Sequence, residues 1–332
     1  MKQLYRIYKG KNKEYRKKYS FSTRSISVSG AAILLFFILF ACDRDEVFEK
    51  EQYKNVFALI SESDNVSRKF HELGEESTGY VAASLGGTNP STKDIVVNLV
   101  EDSLLIDAFN KANYDVNVDK YILPMPKDKY DIDSYQFTIP AGEISGKLPI
   151  RIRPDGLSPD SAYFIALRVA SHSSYEVNPE KSYILYRVRT KNYWAQADGN
   201  TSYSMRAKLR IQGSSGELEM PGTKVMHPVT KNKVRIMAGN EKYESDINLF
   251  NKFAIVLEIA EDNKITISSY KNVEVTQVDG DKDYPNIFKV EDDGFKTYKT
   301  FLLRYNYKSG NSVYEMKEEL RLEFDEEEEE NE

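Results

Sequence analysis

The chain is poor in reactive side chains. Among 332 residues there is one Cys, one Trp and three His, which excludes an internal disulfide framework and a cysteine-built zinc site. His71, His172 and His227 are far apart, share no short metal-binding spacing, and each reads as a surface or turn residue. No G-x-S-x-G elbow accompanies the hydroxyls of Ser171-His172-Ser173-Ser174, so a serine hydrolase is not indicated. Gly86-Gly87-Thr88-Asn89-Pro90 lacks the Lys-Ser/Thr and following helix of a phosphate cradle. With 17 Gly and 11 Pro the composition is neither collagenous nor low-complexity. Carboxylates are abundant, 52 in all, too many for the sequence to select the opposed pair a glycosidase needs. Asp279-Gly280-Asp281-Lys282-Asp283 opens like a calcium loop, but Tyr284 replaces the sharp-turn glycine and Val290 the closing glutamate. An acidic turn is the expectation there. No catalytic residue, metal or cofactor is called for.

Long apolar runs are also missing. The longest, residues 31–40, is about half of what a membrane-crossing helix needs. It follows a segment in which nine Lys and Arg face Glu14 alone, leaving the remaining 291 residues at a net −14 against −6 for the whole chain. A basic region, a ten-residue apolar stretch and a small residue form a secretory signal over residues 1–41. The only cysteine, Cys42, stands directly after Leu39-Phe40-Ala41, in the arrangement of a bacterial lipobox with a bulkier residue than usual at Phe40. Cys42 is therefore expected to be lipidated and to hold the chain to a membrane by acyl chains alone. Asp45 and Glu46 open an acidic tether, residues 42–52. The strongly negative mature chain argues against nucleic acid.

Over residues 53–190 short apolar-polar alternations are separated by turns. Ile95 to Val100 is β-branched, Phe137 and Ile139 alternate with polar neighbours, and Tyr163, Ile165, Leu167 and Val169 share a face. Between them residues 102–112 place Leu104 with Ala108 and Leu105 with Phe109 at helical spacing. Short strands with this punctuation indicate an immunoglobulin-like β-sandwich with a helical insert. Residues 191–324 show longer alternation: Tyr203, Met205, Ala207, Leu209 and Ile211; Phe253, Ile255, Leu257 and Ile259, returned by Ile265 and Ile267; then Phe301, Leu303, Tyr305 and Tyr307 turning at Lys308-Ser309-Gly310-Asn311 into Tyr314, Met316, Leu320, Leu322 and Phe324. Without helices between strands, this predicts an antiparallel sandwich or up-and-down barrel. The chain is thus expected to be all-β. Residues 325–332 carry seven acids and read as a solvated tail.

The runs Leu104-Leu105-Ile106-Asp107-Ala108-Phe109-Asn110, Tyr121-Ile122-Leu123-Pro124, Thr138-Ile139-Pro140-Ala141-Gly142 and Leu157-Ser158-Pro159 resemble the N-terminal domain of a group of Bacteroidota surface lipoproteins. In that group an immunoglobulin-like domain with a "TIPAG" turn precedes a second β-rich domain. The segment 115–133 departs from it by lacking a Gly-rich loop. The resemblance implies an outer-membrane lipoprotein facing the exterior, associated with SusC/SusD-type glycan uptake systems, and polysaccharide or oligosaccharide as ligand. It supplies no catalytic residues. Sugar rings stack on exposed aromatics, and Trp194 beside Tyr193 at the domain boundary is the sequence's candidate platform, with Asn192, Gln196 and Tyr203 as polar companions. The opposed reading puts Trp194 in the second core. Non-catalytic glycan binding, an adhesion or assembly subunit, and a glycan-active enzyme are the three functional readings, in that order.

Overall fold

The computed structural model describes residues 56–87, 90–199, 201–239, 241 and 246–325. The signal, the tether with Cys42, and all of the acidic tail except Asp325 lie outside them.

The first domain contains β1 (Val56–Leu59), β2 (Val66–Glu72), β3 (Ser77–Gly86), β4 (Ile95–Glu101), α1 (Leu104–Asn113), β5 (Leu123–Pro124), β6 (Tyr130–Asp131) and β7 (Gln136–Ile139). It continues with β8 (Ser145–Ile152), β9 (Tyr163–His172), β10 (Glu176–Val177), β11 (Tyr183–Asn192) and β12 (Ala195–Gln196). One sheet runs β10-β1-β3-β8-β6 and the other β12-β11-β9-β4-β7, with β2 added beside β11 and β5 beside β9. Period-two alternation turns Leu148, Ile150 and Ile152 of β8 toward Ile95 and Val97 of β4 and Ile165 and Leu167 of β9, giving the sandwich core. After β7 the chain turns at Pro140-Ala141-Gly142, where Gly142 has φ +83° and donates its N–H to Ser91 O at 2.8 Å.

β9 departs from simple alternation. Phe164 to Leu167 are buried without a break, because α1 covers the sheet's outer face: Ile106, Ile122, Phe164, Ala166 and Leu185 form a second cluster, with Leu105 and Phe109 against it. The pair Leu104 and Ala108 faces solvent instead, Leu104 at 71% exposure. The inward stripe is completed by Asn110, which donates to Ile122 O (3.0 Å) and accepts from Ile122 N–H (2.8 Å), tying the helix to the segment after it.

The second domain is one antiparallel sheet curled into a nearly closed barrel. Its elements are β13 (Thr201–Ile211), β14 (Leu218–Thr230), β15 (Lys233–Met237), α2 (Ile247–Phe253), β16 (Ala254–Ile259), β17 (Ile265–Ser269), β18 (Val275–Gln277), β19 (Ile287–Asp292), β20 (Thr297–Ser309) and β21 (Ser312–Phe324). The order is β17-β16-β15-β14-β13-β21-β20, with β18 and β19 sharing the far edge of β20. Bonds from Ile265 N to Asn286 O (2.8 Å) and from Phe288 N to Asn263 O (2.9 Å) bring the two ends of the sheet together. Asn286 fills the break between β18 and β19. Its amide donates to Val278 O (2.9 Å) and its Oδ1 accepts from Arg304 N (2.7 Å). The closing hairpin has the expected tight turn, with Ser309 opposite Ser312 around Gly310-Asn311.

The alternation of β21 passes through a charge. Glu318, fully buried between Met316 and Leu320, points into the barrel. Its Oε2 lies 3.2 Å from Lys224 Nζ, and its Oε1 accepts from the Tyr305 hydroxyl at 2.9 Å. Lys224 also donates to Met237 O (2.8 Å) and Gly239 O (2.6 Å), and Gly239 N–H donates to the Tyr305 hydroxyl (2.9 Å). Burial and the Glu318 charge drive the Tyr305 pKa well above its ordinary value. Gly239, at φ +57°, has no room for a side chain, since a Cβ there would lie 2.0 Å from the Tyr307 hydroxyl. Glu318→Ala leaves the Lys224 ammonium buried without its carboxylate, and urea unfolding is expected to show a loss of roughly 3–5 kcal/mol. The Lys224→Met/Glu318→Leu double variant is expected to recover most of it. A single variant within about 1 kcal/mol of wild type would show the pair to be dispensable.

Candidate functional site

The site begins with an arginine buried among apolar neighbours in β15. Val234, Ile236 and Met237 of β15 are buried hydrophobics, and Arg235 between them is only 1% exposed. Its guanidinium lies 4.3 Å from the ring centre of Phe250 in α2 and 4.6 Å from that of Tyr270, the residue after β17. A cation removed from water requires a counter-charge, and Asp160, from the β8–β9 loop of the first domain, supplies it through Oδ1. The other oxygen of Asp160 accepts from the Tyr270 hydroxyl at 2.6 Å. Burial, then this bond to the carboxylate, pushes the Tyr270 pKa up to about 12. A second tie comes from Asn192, whose amide donates to Thr230 O (2.7 Å) and Lys233 O (3.1 Å) at the β14–β15 turn.

Beside the Arg235–Asp160 pair lies a groove of about 640 Å³ lined by both domains, a size suited to a small ligand. The first domain contributes Tyr114 and Tyr121, from the segment after α1, and the second contributes Asn248 and Phe250 of α2. Tyr121 is oriented by donating its hydroxyl to Asp115 O at 2.6 Å, and Tyr114 packs edge-on against Phe109 at 6.2 Å. At the N-terminus of α2 the Asp246 side chain accepts from Asn248 N–H at 2.7 Å. His227 also lines the groove. Burial, and secondarily the Arg235 charge, lower its pKa to about 4, so the ring is neutral at physiological pH. Arg187 completes the lining, held at 2.6 Å by Asp198, which also lies 2.7 Å from Arg189.

None of the five residues singled out from sequence lines this groove. They do converge, on the hairpin between β11 and β12 at the domain junction, but mostly as support. Tyr203 is completely buried with its hydroxyl on Trp194 O (2.9 Å). Asn192 is buried with its Oδ1 accepting from Trp194 N–H (3.1 Å) and Ala195 N–H (3.0 Å). Both are thereby removed from any ligand platform. Gln196 is half-buried and its N–H donates to Thr201 Oγ1 at 2.8 Å. Trp194 is half-buried against the barrel core, edge-on to Phe288 at 5.8 Å. Tyr193 alone keeps an exposed ring, at 43%, above Lys299 Nζ at 4.0 Å.

The histidine expectation also needs correcting. His172 is exposed, but His71 and His227 are buried. His71 sits inside the first domain with Nδ1 2.6 Å from Ser77 Oγ and Nε2 2.9 Å from the Tyr186 hydroxyl, and burial lowers its pKa to about 4. Among the described residues no group of three or more His, Cys, Asp or Glu is arranged to hold a metal ion. In the acidic turn, Asp281 Oδ1 accepts from the N–H groups of Asp283 (3.0 Å) and Tyr284 (3.1 Å). The groove had one sequence signal, a lone arginine flanked by buried apolar residues in a strand; its partner lies 75 residues away.

Comparison with known proteins adds the family. A family model described as an N-terminal domain matches residues 48–176, and one described as a C-terminal domain matches residues 182–321. No curated protein matches the sequence. Among solved structures, a protein of unknown function from Bacteroides ovatus is similar with a TM-score of 0.59 at 18% identity, over 84% of this chain and 93% of that one. A second B. ovatus protein of unknown function gives 0.58 at 16% identity, over 83% and 99%. A protein described as an auxiliary nutrient binding protein, from Bacteroides thetaiotaomicron, gives 0.56 at 15% identity, over 79% and 91%. At these identities the likeness is one of fold. Matched in order along both halves, the chain belongs to a Bacteroidota family of two-domain, all-β proteins.

Proposed function

We propose that this protein is an outer-membrane lipoprotein that captures an oligosaccharide at the cell surface without transforming it, in association with a SusC/SusD-type uptake system. The observation that carries the reading is the groove between two domains clamped by Arg235 and Asp160. Its half-buried Tyr114 and Tyr121 rings suit the apolar faces of sugars, and the exposed amides of Asn117 and Asn248 suit hydroxyls. Walls held in place before the ligand arrives lower the entropy cost of binding. The fold shared with an auxiliary nutrient binding protein supports the same reading. In this scheme Cys42 tethers, the first domain spaces, and the junction binds. An assembly subunit is the second reading, favoured by β2, whose only strand partner among the described residues is β11.

Affinity electrophoresis of the full chain against a broad polysaccharide set tests capture. Tyr121→Ala is expected to weaken retardation by roughly tenfold, about 1.4 kcal/mol, at unchanged stability. Trp194→Ala, by contrast, is expected to lower stability by about 2–4 kcal/mol and leave affinity intact. No retardation of the folded protein on any polysaccharide would move the function to the assembly reading. For the tether, Cys42→Ser is expected to abolish palmitate labelling and release the protein from the membrane fraction; a labelled variant would dismiss lipidation at Cys42.

A further inference from the structure

We infer that the groove selects neutral oligosaccharides against uronate- or sulfate-bearing ones, because its arginines are already committed to carboxylates of this chain. The inference rests on the capture reading above and names its ligand class.

Acidic glycans are recognised by guanidinium and ammonium groups free to make charge-assisted, often bidentate hydrogen bonds. Two guanidinium groups line this groove. Arg235 lies over the rings of Phe250 and Tyr270 and is paired with Asp160, whose second oxygen is held by Tyr270. A ligand carboxylate could reach it only by displacing Asp160, which would leave that carboxylate without its counter-charge and release the tie between the domains. Arg187 donates to Asp198 at 2.6 Å, and its guanidinium lies 5.8 Å from the Phe164 ring. Displacing Asp198 from Arg187 would also disturb the Asp198–Arg189 pair.

Among the described residues, the rest of the lining adds no compensating positive field. Lys120 is exposed and adjacent in sequence to Asp119, and with Asp246 the described lining holds four carboxylates against three permanent cations. His227 stays neutral until pH falls toward about 4. An incoming anion therefore meets a slight excess of like charge, whereas hydroxyl groups meet tyrosine rings, amides and the Ser161 hydroxyl. Discrimination arises as much from what is withheld from the wrong ligand as from contacts with the right one.

The test uses the full chain with mannan, β-glucan and xylan as neutral probes, and polygalacturonate and chondroitin sulfate as acidic ones. Expected are retardation by a neutral polymer, an affinity changing by less than about twofold between roughly 50 and 300 mM salt, and no retardation by either acidic probe. Asp198→Asn, at an exposed position, frees Arg187. It is expected to raise affinity for polygalacturonate by about tenfold at low salt, an effect lost at high salt. Wild-type retardation by the acidic probes at least as strong as by the neutral ones overturns the neutral-ligand inference and leaves capture standing. Retardation by none of the five, nor by any polymer of the broad set, overturns capture itself, and this inference with it. A folded Asp198→Asn variant with unchanged preference overturns internal pairing as the cause. The wild-type comparison decides the ligand class whether or not that variant folds.

Discussion

A guanidinium with no access to water has to be satisfied by the protein, and Arg235 is satisfied only when both domains are in place. Phe250 and Tyr270 of the second domain pack their rings against it, and Asp160 of the first supplies its counter-charge. Breaking such a pair is far more costly than losing an exposed ion pair, because the surviving charge stays buried. The β8–β9 loop is therefore fixed against β15, and Asn192, bound to the β14–β15 turn, adds a second polar tie between the domains. The groove inherits its shape from this constraint. Its walls come from the stretch after α1, one short helix and a loop, together with Arg187, His227 and Arg235 of strands β11, β14 and β15.

Each domain also has a polar centre in its interior. In the sandwich it is His71 with Ser77 and Tyr186; in the barrel it is Lys224 with Glu318 and Tyr305. Each has beside it a glycine that leaves room for a tyrosine. A Cβ on Gly79 would stand 1.9 Å from the Tyr186 hydroxyl, and one on Gly239 would stand 2.0 Å from that of Tyr307. A slip of register by one residue would turn these groups to the wrong face and leave buried polar atoms without partners, so the polar centres hold the registers that alternation alone leaves less defined.

Much of the architecture was legible in the residues. Alternation located β13, the β16–β17 pair and the β20–β21 hairpin, and the spacing around residues 102–112 located α1. Alternation reports a period, though, and not what lies over each face. It assigned one apolar face to β9, where α1 in fact covers the other, and it chose Leu104 and Ala108 as part of the inward stripe that Ile106 and Asn110 occupy. The same limit applied to the aromatic platform. Trp194, Tyr193 and Tyr203 are neighbours as expected, yet Tyr203 and Asn192 are enclosed by strands distant in sequence, which removes them from any ligand.

The sequence by itself determined the all-β class, the two-part organisation and the positions of the principal strands, because those depend on side-chain periodicity and turn chemistry within a few residues of one another. Only the tertiary structure decided that β2 and β11 run parallel, that the second sheet curls nearly closed, and that Asp160 meets Arg235 beside a groove. The physical reason is that burial and ion pairing depend on partners brought together across the fold. A strand's own pattern can mark Arg235 as unusual, but the carboxylate that makes its burial tolerable lies 75 residues away, in the other domain.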